Sequence, residues 1–310
     1  MEISLERAIE LLKEGSVVAV PTETVYGLAA SLSHPDAIKE IFQLKGRPSS
    51  NPLIIHVADK ETIYEYLQFM LEGFSLLADA FWPGPMTLVL QANIEKVPEI
   101  VRAGLSTVAF RVPNHPITAQ LLKLTGPLVM PSANLSGTPS ATRIEHVEKD
   151  FGQEFPVLKS FGPTLGVEST ILIYLDDEWQ IIRQGALPPE VFKSVLGYLP
   201  IIRGVEANAA PLCPGQLFRH YAPKAKLILT NECGVLRGET ILGFSDRAYP
   251  EGNGVICMGN SGKPEEIAEN LYKVLRDLDI SSVEKVFVDI DLPSEGLYAT
   301  LLERLTKASL

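Results

Sequence analysis

The chain predicts an α/β fold in two units, a larger mixed sheet followed by a smaller parallel one. Three observations carry that expectation. The 310 residues are 46% hydrophobic and 21% charged, enough apolar content for a sizeable packed core. Short β-rich runs alternate with stretches of helical periodicity over the first two thirds. That pattern stops near residues 204–224, then resumes as short strands alternating with helices.

Taken in order, Leu5, Ala8, Ile9 and Leu12 form an amphipathic stripe that Gly15 can terminate, and "VVAV" follows as a buried strand. Further strands are predicted at "LIIHV", "MTLVLQA", "TVAFRV", "LVMP" and "STILIYL", with helices around 35–44, 60–80, 116–125 and 143–151. The stretch "GVEANAAPLCPGQLFRHYAPKA" is rich in Pro, Ala and Gly and has no clear period, which predicts a linker. Beyond it, "KLILT", "TILGF", "GVICM" and "KVFVDI" interleave with a helix through Ile267, Leu271, Leu275 and Leu278 and a last helix through Leu301, Leu302 and Leu305. Apolar strands separated by helices predict a small parallel, Rossmann-like sheet.

Composition also excludes several classes. The three cysteines, Cys213, Cys233 and Cys257, lie far apart, with no Cys-x-x-Cys spacing for zinc or redox chemistry and an odd count that argues against a disulfide framework. The opening "MEISLERAIELLKEG" reads as an amphipathic helix, neither a signal peptide nor an anchor, and no apolar run approaches membrane-spanning length. A soluble, cytoplasmic protein is expected. A net charge of −11 argues against non-specific grip on a nucleic-acid backbone, which depends on neutralising phosphates with Lys and Arg.

Several polar stretches each admit two readings. In "FQLKGRPSSNPLIIHV", Lys45 and Arg47 flank Gly46 at a predicted helix end, either as cations complementing the helix dipole or as a polyanion site with Asn51 as an amide donor. The spacing is not that of a Walker loop. "VPTETVYGLAA" leaves a strand through Pro21 and places Thr22, Glu23, Thr24 and Tyr26 before Gly27; Thr24 reads as a cap in a strand-to-helix turn or as a ligand contact. "VMPSANLSGTPSATR" supplies Ser132, Asn134, Ser136, Ser140 and Thr142, suited to turn chemistry or to a small ligand's polar edges. Arg111, among apolar neighbours in "TVAFRVP", needs an anion if buried, either a substrate carboxylate or an internal Asp or Glu. His56 and Arg183 are similarly open. "GNSGKP" at 259–264 reads as an ordinary βα turn, since Pro264 stands where a phosphate loop needs Ser or Thr.

Together, "PTETVYGLAA", "KGRPSSNPLIIHV", "WPGPMTLVL", "FRVPNHP", "PSANLSG" and "ESTI", in this order and spacing, closely resemble the YrdC-like domain of threonylcarbamoyl-AMP synthases, over about residues 5–205. "CPGQLFRHYAPKA" resembles the linker of the family's two-domain branch. The resemblance implies a YrdC-like twisted mixed sheet at 1–203, a linker or lid at 204–224 and a small Rossmann-like domain at 225–310. It implies a nucleotidyltransferase reaction in which L-threonine, bicarbonate or carbon dioxide, and ATP give threonylcarbamoyl-adenylate and pyrophosphate, for threonylcarbamoyladenosine modification of tRNA. A downstream enzyme would make the transfer to tRNA, which this chain is not expected to bind tightly. The implied threonine site is Thr24, His56, Arg111, Ser132 and Ser169. The implied ATP contacts are Lys45, Arg47, Asn51, Thr107, Asn134, Thr142, Arg183 and Tyr221, with Lys45 and Arg47 acting on the triphosphate, Mg²⁺ bridging its oxygens, and no dedicated protein metal site.

The sequence departs from the family's pattern at Ile173, Gln184, Ala141, Gln216 and Phe218, which bear on the adenine end and the lid rather than on the reaction class. Two other readings stand beside this one. An RNA-binding module of the same fold is disfavoured by the acidic total, and a carbamoyltransferase of the hydrogenase-maturation type by the missing cysteine pairs.

Overall fold

A computed structural model describes residues 1–204, 212–214, 220–281 and 283–310. Gln216, Phe218 and Arg219 of the linker lie outside the described residues. The strands are β1 (Glu2–Ile3), β2 (Val18–Val20), β3 (Gly27–Ser31), β4 (Ile54–His56), β5 (Met86–Gln91), β6 (Thr107–Arg111), β7 (Leu128–Val129), β8 (Val157–Leu158), β9 (Thr170–Leu175), β10 (Glu178–Arg183), β11 (Lys226–Thr230), β12 (Thr240–Gly243), β13 (Gly254–Cys257) and β14 (Lys285–Asp289). The helices are α1 (Leu5–Lys13), α2 (Pro35–Lys45), α3 (Phe74–Phe81), α4 (Glu99–Arg102), α5 (Pro116–Thr125), α6 (Ile144–Phe151), α7 (Lys193–Leu196), α8 (Pro264–Leu278) and α9 (Leu297–Ser309).

A ten-stranded mixed sheet runs β1-β8-β2-β3-β7-β4-β6-β5-β9-β10, and a four-stranded sheet runs β11-β14-β12-β13 with every pairing parallel. Both sheets match the expected fold class. The larger unit packs on a core through Leu28, Ile41, Ile55, Phe74, Leu88, Phe110 and Leu172.

Two local expectations are corrected. The chain after Thr24 forms no helix: β2 turns back into β3 as an antiparallel pair, Val20 opposite Gly27. Thr22 Oγ1 accepts from the backbone N–H of Thr24 and Val25, a side-chain turn that competes with helix capping. The helix expected over 60–80 is split into a 3₁₀ turn at Glu61–Tyr66 and α3. Leu67 between them bridges to Ala92 of the sheet, and Gly73 turns the chain at φ 76° into α3. Apolar periodicity alone does not register such a break. "GNSGKP" is a βα turn in which the Asp246 carboxylate accepts from the Ser261 N–H at 2.7 Å and Oγ–H at 2.6 Å.

The smaller sheet shares its core with the larger unit. Val25, Val167 and Tyr221 pack among Ile267, Ala268, Leu271, Tyr272 and Leu301. Gly166, at φ 72°, lies so close to α8 that a Cβ there would sit 2.2 Å from the Ala268 carbonyl oxygen. Only glycine permits that approach.

Candidate active site

The pocket begins with two parallel strands in register. In β4 and β6, His56 pairs with Arg111 and Ile54 with Ala109, which sets an imidazole beside a guanidinium at the sheet's centre. Residues Met130–Ser132 run beyond β7, and Ser132 is anchored by a bridge to Gly27. At the far side Ser169 precedes β9, and Thr87 shares a 2.7 Å hydroxyl hydrogen bond with it. Arg183 ends β10, donating to the Ser169 carbonyl at 2.8 Å and Oγ at 3.1 Å.

Helix α2 aims the cations. Gly46 ends it in the left-handed region at φ 59°, while the N–H of Arg47 bonds the Phe42 carbonyl at 2.9 Å and that of Gly46 the Gln43 carbonyl at 3.1 Å. This is a Schellman ending, and it turns Arg47 back toward the pocket. Arg47 donates to the Pro52 carbonyl at 2.8 Å.

Of the predicted residues, Thr24, Arg47, His56, Arg111, Ser132, Asn134, Ser169, Arg183 and Tyr221 line one pocket. Four do not reach its wall. Lys45 is buried behind it, with Nζ donating to the carbonyls of Ser132 and, at 2.6 Å, Asn134. Asn51 and Thr142 are buried beside it. Thr107 lies four residues up β6 from Arg111, about 13 Å along the strand. Ser140, left open between turn chemistry and a ligand contact, lines the pocket, and so do Glu168, Pro214 and His220, to which the sequence assigned no ligand role although each falls within a motif or linker stretch. Glu23 was also unassigned: its carboxylate lies 2.8 Å from the Arg111 guanidinium, with both side chains buried.

The electrostatics single out two features. The Glu23–Arg111 pair is in contact yet poorly aligned, so both carboxylate oxygens and the Arg111 Nε and Nη2 have no hydrogen-bond partner among the described residues. Asn51 Oδ1, Asn134 Oδ1 and Thr142 Oγ1 share that condition, which is uncommon for buried polar atoms. Second, Arg47 and Arg183 face the pocket with carbonyl and hydroxyl partners but no ion-paired carboxylate among the described residues. Burial, then the Arg183 charge, lowers the Arg47 pKa to about 10. Burial, then Arg47, pushes Lys45 well below its ordinary range. Cations that are desolvated by burial and repelled by one another favour an anion between them.

Burial, followed by the Arg111 charge, holds His56 well below 6.5, and burial with Arg276 and other nearby cations takes His146 to about 3. Both are neutral at pH 7. In the unfolded chain each takes up a proton below about 6.5, so stability is present above that pH and is lost as pH falls below it, by up to about 1.4 kcal/mol per pH unit for each histidine. Histidine NMR should show His56 flat from pH 8 to 5 while thermal melts decline below pH 6.5. A His56 titration near 6.5 would contradict the assignment.

A family model described as Telomere recombination, for the Sua5, YciO and YrdC proteins, matches residues 10–185. A second, described as Threonylcarbamoyl-AMP synthase, C-terminal domain, matches residues 188–309. The chain is 36% identical to the threonylcarbamoyl-AMP synthase of Bacillus subtilis, over 98% of this chain and 92% of the relative. It is 37% identical to that of Pyrococcus abyssi, over 99% and 94% respectively. A crystal structure of P. abyssi Sua5 complexed with L-threonine superposes with a TM-score of 0.91 at 34% identity, covering 100% of this chain and 97% of that one. Two family models in tandem and near-full-length likeness on the same fold lead to one conclusion: the chain belongs to the threonylcarbamoyl-AMP synthase family, in its two-domain form.

Proposed function

We propose that this protein is an L-threonylcarbamoyladenylate synthase, converting L-threonine, bicarbonate or carbon dioxide, and ATP into threonylcarbamoyl-AMP and pyrophosphate. The carrying observation is the set of buried polar atoms at Arg111, Asn51, Asn134 and Thr142 that have no hydrogen-bond partner among the described residues, near a pocket that also holds two guanidinium groups with no ion-paired carboxylate among those residues. In a ligand combining an amino acid, a polyphosphate and a nucleobase, the carboxylate and phosphate oxygens would accept from the guanidinium groups, and the amine, hydroxyl and nucleobase N–H groups would donate to the amide oxygens of Asn51 and Asn134. The names of the relatives and the threonine complex of P. abyssi Sua5 support the same reading.

In this reading Arg111 takes the threonine carboxylate, with Thr24, His56, Ser132 and Ser169 around the rest of the amino acid. The threonine amine adds to carbon dioxide and loses a proton, and a carbamate oxygen attacks the α-phosphorus in line. The bond to the β-phosphate oxygen breaks and pyrophosphate departs with that electron pair. Nothing here needs a protein nucleophile; positioning and charge neutralisation do the work. Arg47, Arg183 and Lys45 offset the developing charge, while Asn51, Asn134 and Thr142 serve the nucleotide and Tyr221 closes over it; Thr107, about 13 Å along β6 from Arg111, is too far from the pocket to join them. Among the described residues no cluster of His, Cys, Asp or Glu is arranged to hold a metal; in this reading Mg²⁺ would come with the ATP and supply further neutralisation of its phosphate charge.

The product would pass to an enzyme that transfers the threonylcarbamoyl group to tRNA. No helix among the described residues is long and apolar enough to cross a membrane, and a cytoplasmic setting is part of the same reading. The deciding experiment is pyrophosphate release from ATP by the purified chain. It should require threonine and bicarbonate together; release independent of either would overturn the reading.

A further inference from the structure

Among the described residues, the pocket wall contains one carboxylate, Glu168, and the C-terminal unit holds it. Glu168 Oε2 accepts from the Tyr272 hydroxyl of α8 at 2.7 Å and from Arg304 Nε of α9 at 3.1 Å, while Oε1 accepts from Ser140 Oγ at 2.6 Å. Both partners from the C-terminal unit are fully buried. They also grip the linker: the Tyr272 ring stacks on Tyr221 at 5.3 Å and 20°, and the Arg304 guanidinium lies 4.9 Å from the Tyr221 ring centre. Tyr221 has a left-handed backbone at φ 64°, a strained conformation for a non-glycine residue that persists only where its surroundings enforce it.

The same contacts extend along the wall. Arg304 Nη2 donates to the Gln184 carbonyl at 2.7 Å, and the Ala186 N–H donates to the Glu168 carbonyl at 2.9 Å, tying the start of β9 to the turn after Arg183. Arg183 in turn grips Ser169. Burial pushes the Glu168 carboxyl up, but Arg304 and Arg183, with the Ser140 and Tyr272 hydrogen bonds, outweigh it and bring the pKa to about 2. An acid that strong is a poor proton acceptor at neutral pH, so a general-base role does not suit it.

We propose that the C-terminal unit is a structural part of the catalytic pocket, in which Arg304 and Tyr272 fix Glu168 as a positioning residue that sets Ser140, Arg183 and Tyr221 against the nucleotide. The inference rests on the synthase reading for the identity of that nucleotide. It gives the second unit a task beyond holding the linker's far end: without α8 and α9, Glu168 loses its counter-charge and Tyr221 loses both faces of its clamp.

The test compares full-length Arg304→Lys and Tyr272→Phe with Thr300→Val. Thr300 donates to the Gly185 carbonyl across the same interface at 2.9 Å but does not touch the pocket. In pyrophosphate-release assays Arg304→Lys should raise the KM for ATP about tenfold and Tyr272→Phe about threefold, with the KM for threonine within about twofold of wild type. Thr300→Val should lower the melting temperature and leave both constants unchanged. If Tyr272→Phe leaves the KM for ATP unchanged, or if Thr300→Val raises it equally, the interface is only a docking surface and the proposal is overturned. Should Arg304→Lys not fold, Tyr272→Phe, which removes a single hydroxyl, carries the test alone. If wild type releases no threonine-dependent pyrophosphate, the synthase reading has failed instead. The comparison is then read on ATP affinity by calorimetry, where equal dissociation constants for wild type and Tyr272→Phe would overturn the proposal.

Discussion

Arg111→Ala should lose threonine affinity by about 100-fold or more while binding ATP almost as wild type does, because a bidentate, charge-assisted pair with a carboxylate is worth about 3 kcal/mol. The structure adds a complication that must be separated out. Arg111 already contacts buried Glu23, and removing one partner of a buried ion pair costs about 3–5 kcal/mol of stability, since the other charge is stranded. The single variant should therefore melt earlier as well as bind poorly. The double variant Glu23→Gln, Arg111→Met removes the stranded charge and should recover much of the lost stability. Its threonine affinity, measured by calorimetry, should stay low. If threonine binding returns with stability, or never fell in the single variant, Arg111 is only Glu23's counter-ion and the substrate carboxylate is held elsewhere.

Lys45→Met should slow pyrophosphate release in single-turnover assays by about 100-fold, the scale of losing one preorganised charge donor, with a much smaller change in threonine affinity. Two facts shape this expectation. Burial and the neighbouring Arg47 charge disfavour the Lys45 ammonium, so an incoming triphosphate would relieve a real cost. Yet the ammonium is also tied to the carbonyls of Ser132 and Asn134, and the Ser136 N–H bonds the Lys45 carbonyl at 2.8 Å, so the side chain braces the loop that carries both families of contacts. Methionine keeps most of the stem's packing and removes the charge. Normal turnover would leave Lys45 as a brace alone. A loss of threonine affinity as large as the loss of rate would point to a displaced Ser132 rather than to phosphate chemistry.

Much of the site was legible before the fold. The motifs from "PTETVYGLAA" to "ESTI" carry Thr24, Arg47, His56, Arg111, Ser132, Asn134 and Ser169, all on the pocket wall, because each motif is a strand end or a loop that enters or leaves a strand, where side-chain chemistry and backbone pattern sit together. The strands and helices of the C-terminal unit were equally plain, since buried parallel strands read as continuous apolar runs and α8 has a strongly amphipathic period. The exceptions are local competitions that pattern does not rank. Thr22 and Thr24 form a side-chain turn where a helix cap was equally plausible, and Gly73 divides what looked like one helix.

What the sequence determined by itself is therefore the family, the fold class and the residue types that line the pocket, each encoded within stretches of a dozen residues or so. Only the tertiary structure decided which charges meet. Arg111 needed an anion from the first reading, but Glu23 is 88 positions away in sequence; Glu168 and Arg304 are 136 apart, and Tyr221, Tyr272 and Arg304 come from the linker and two separate helices. Ion pairs and ring stacks at such separations leave no periodic trace, because their energies depend on the burial and approach of surfaces that exist only after both units have packed.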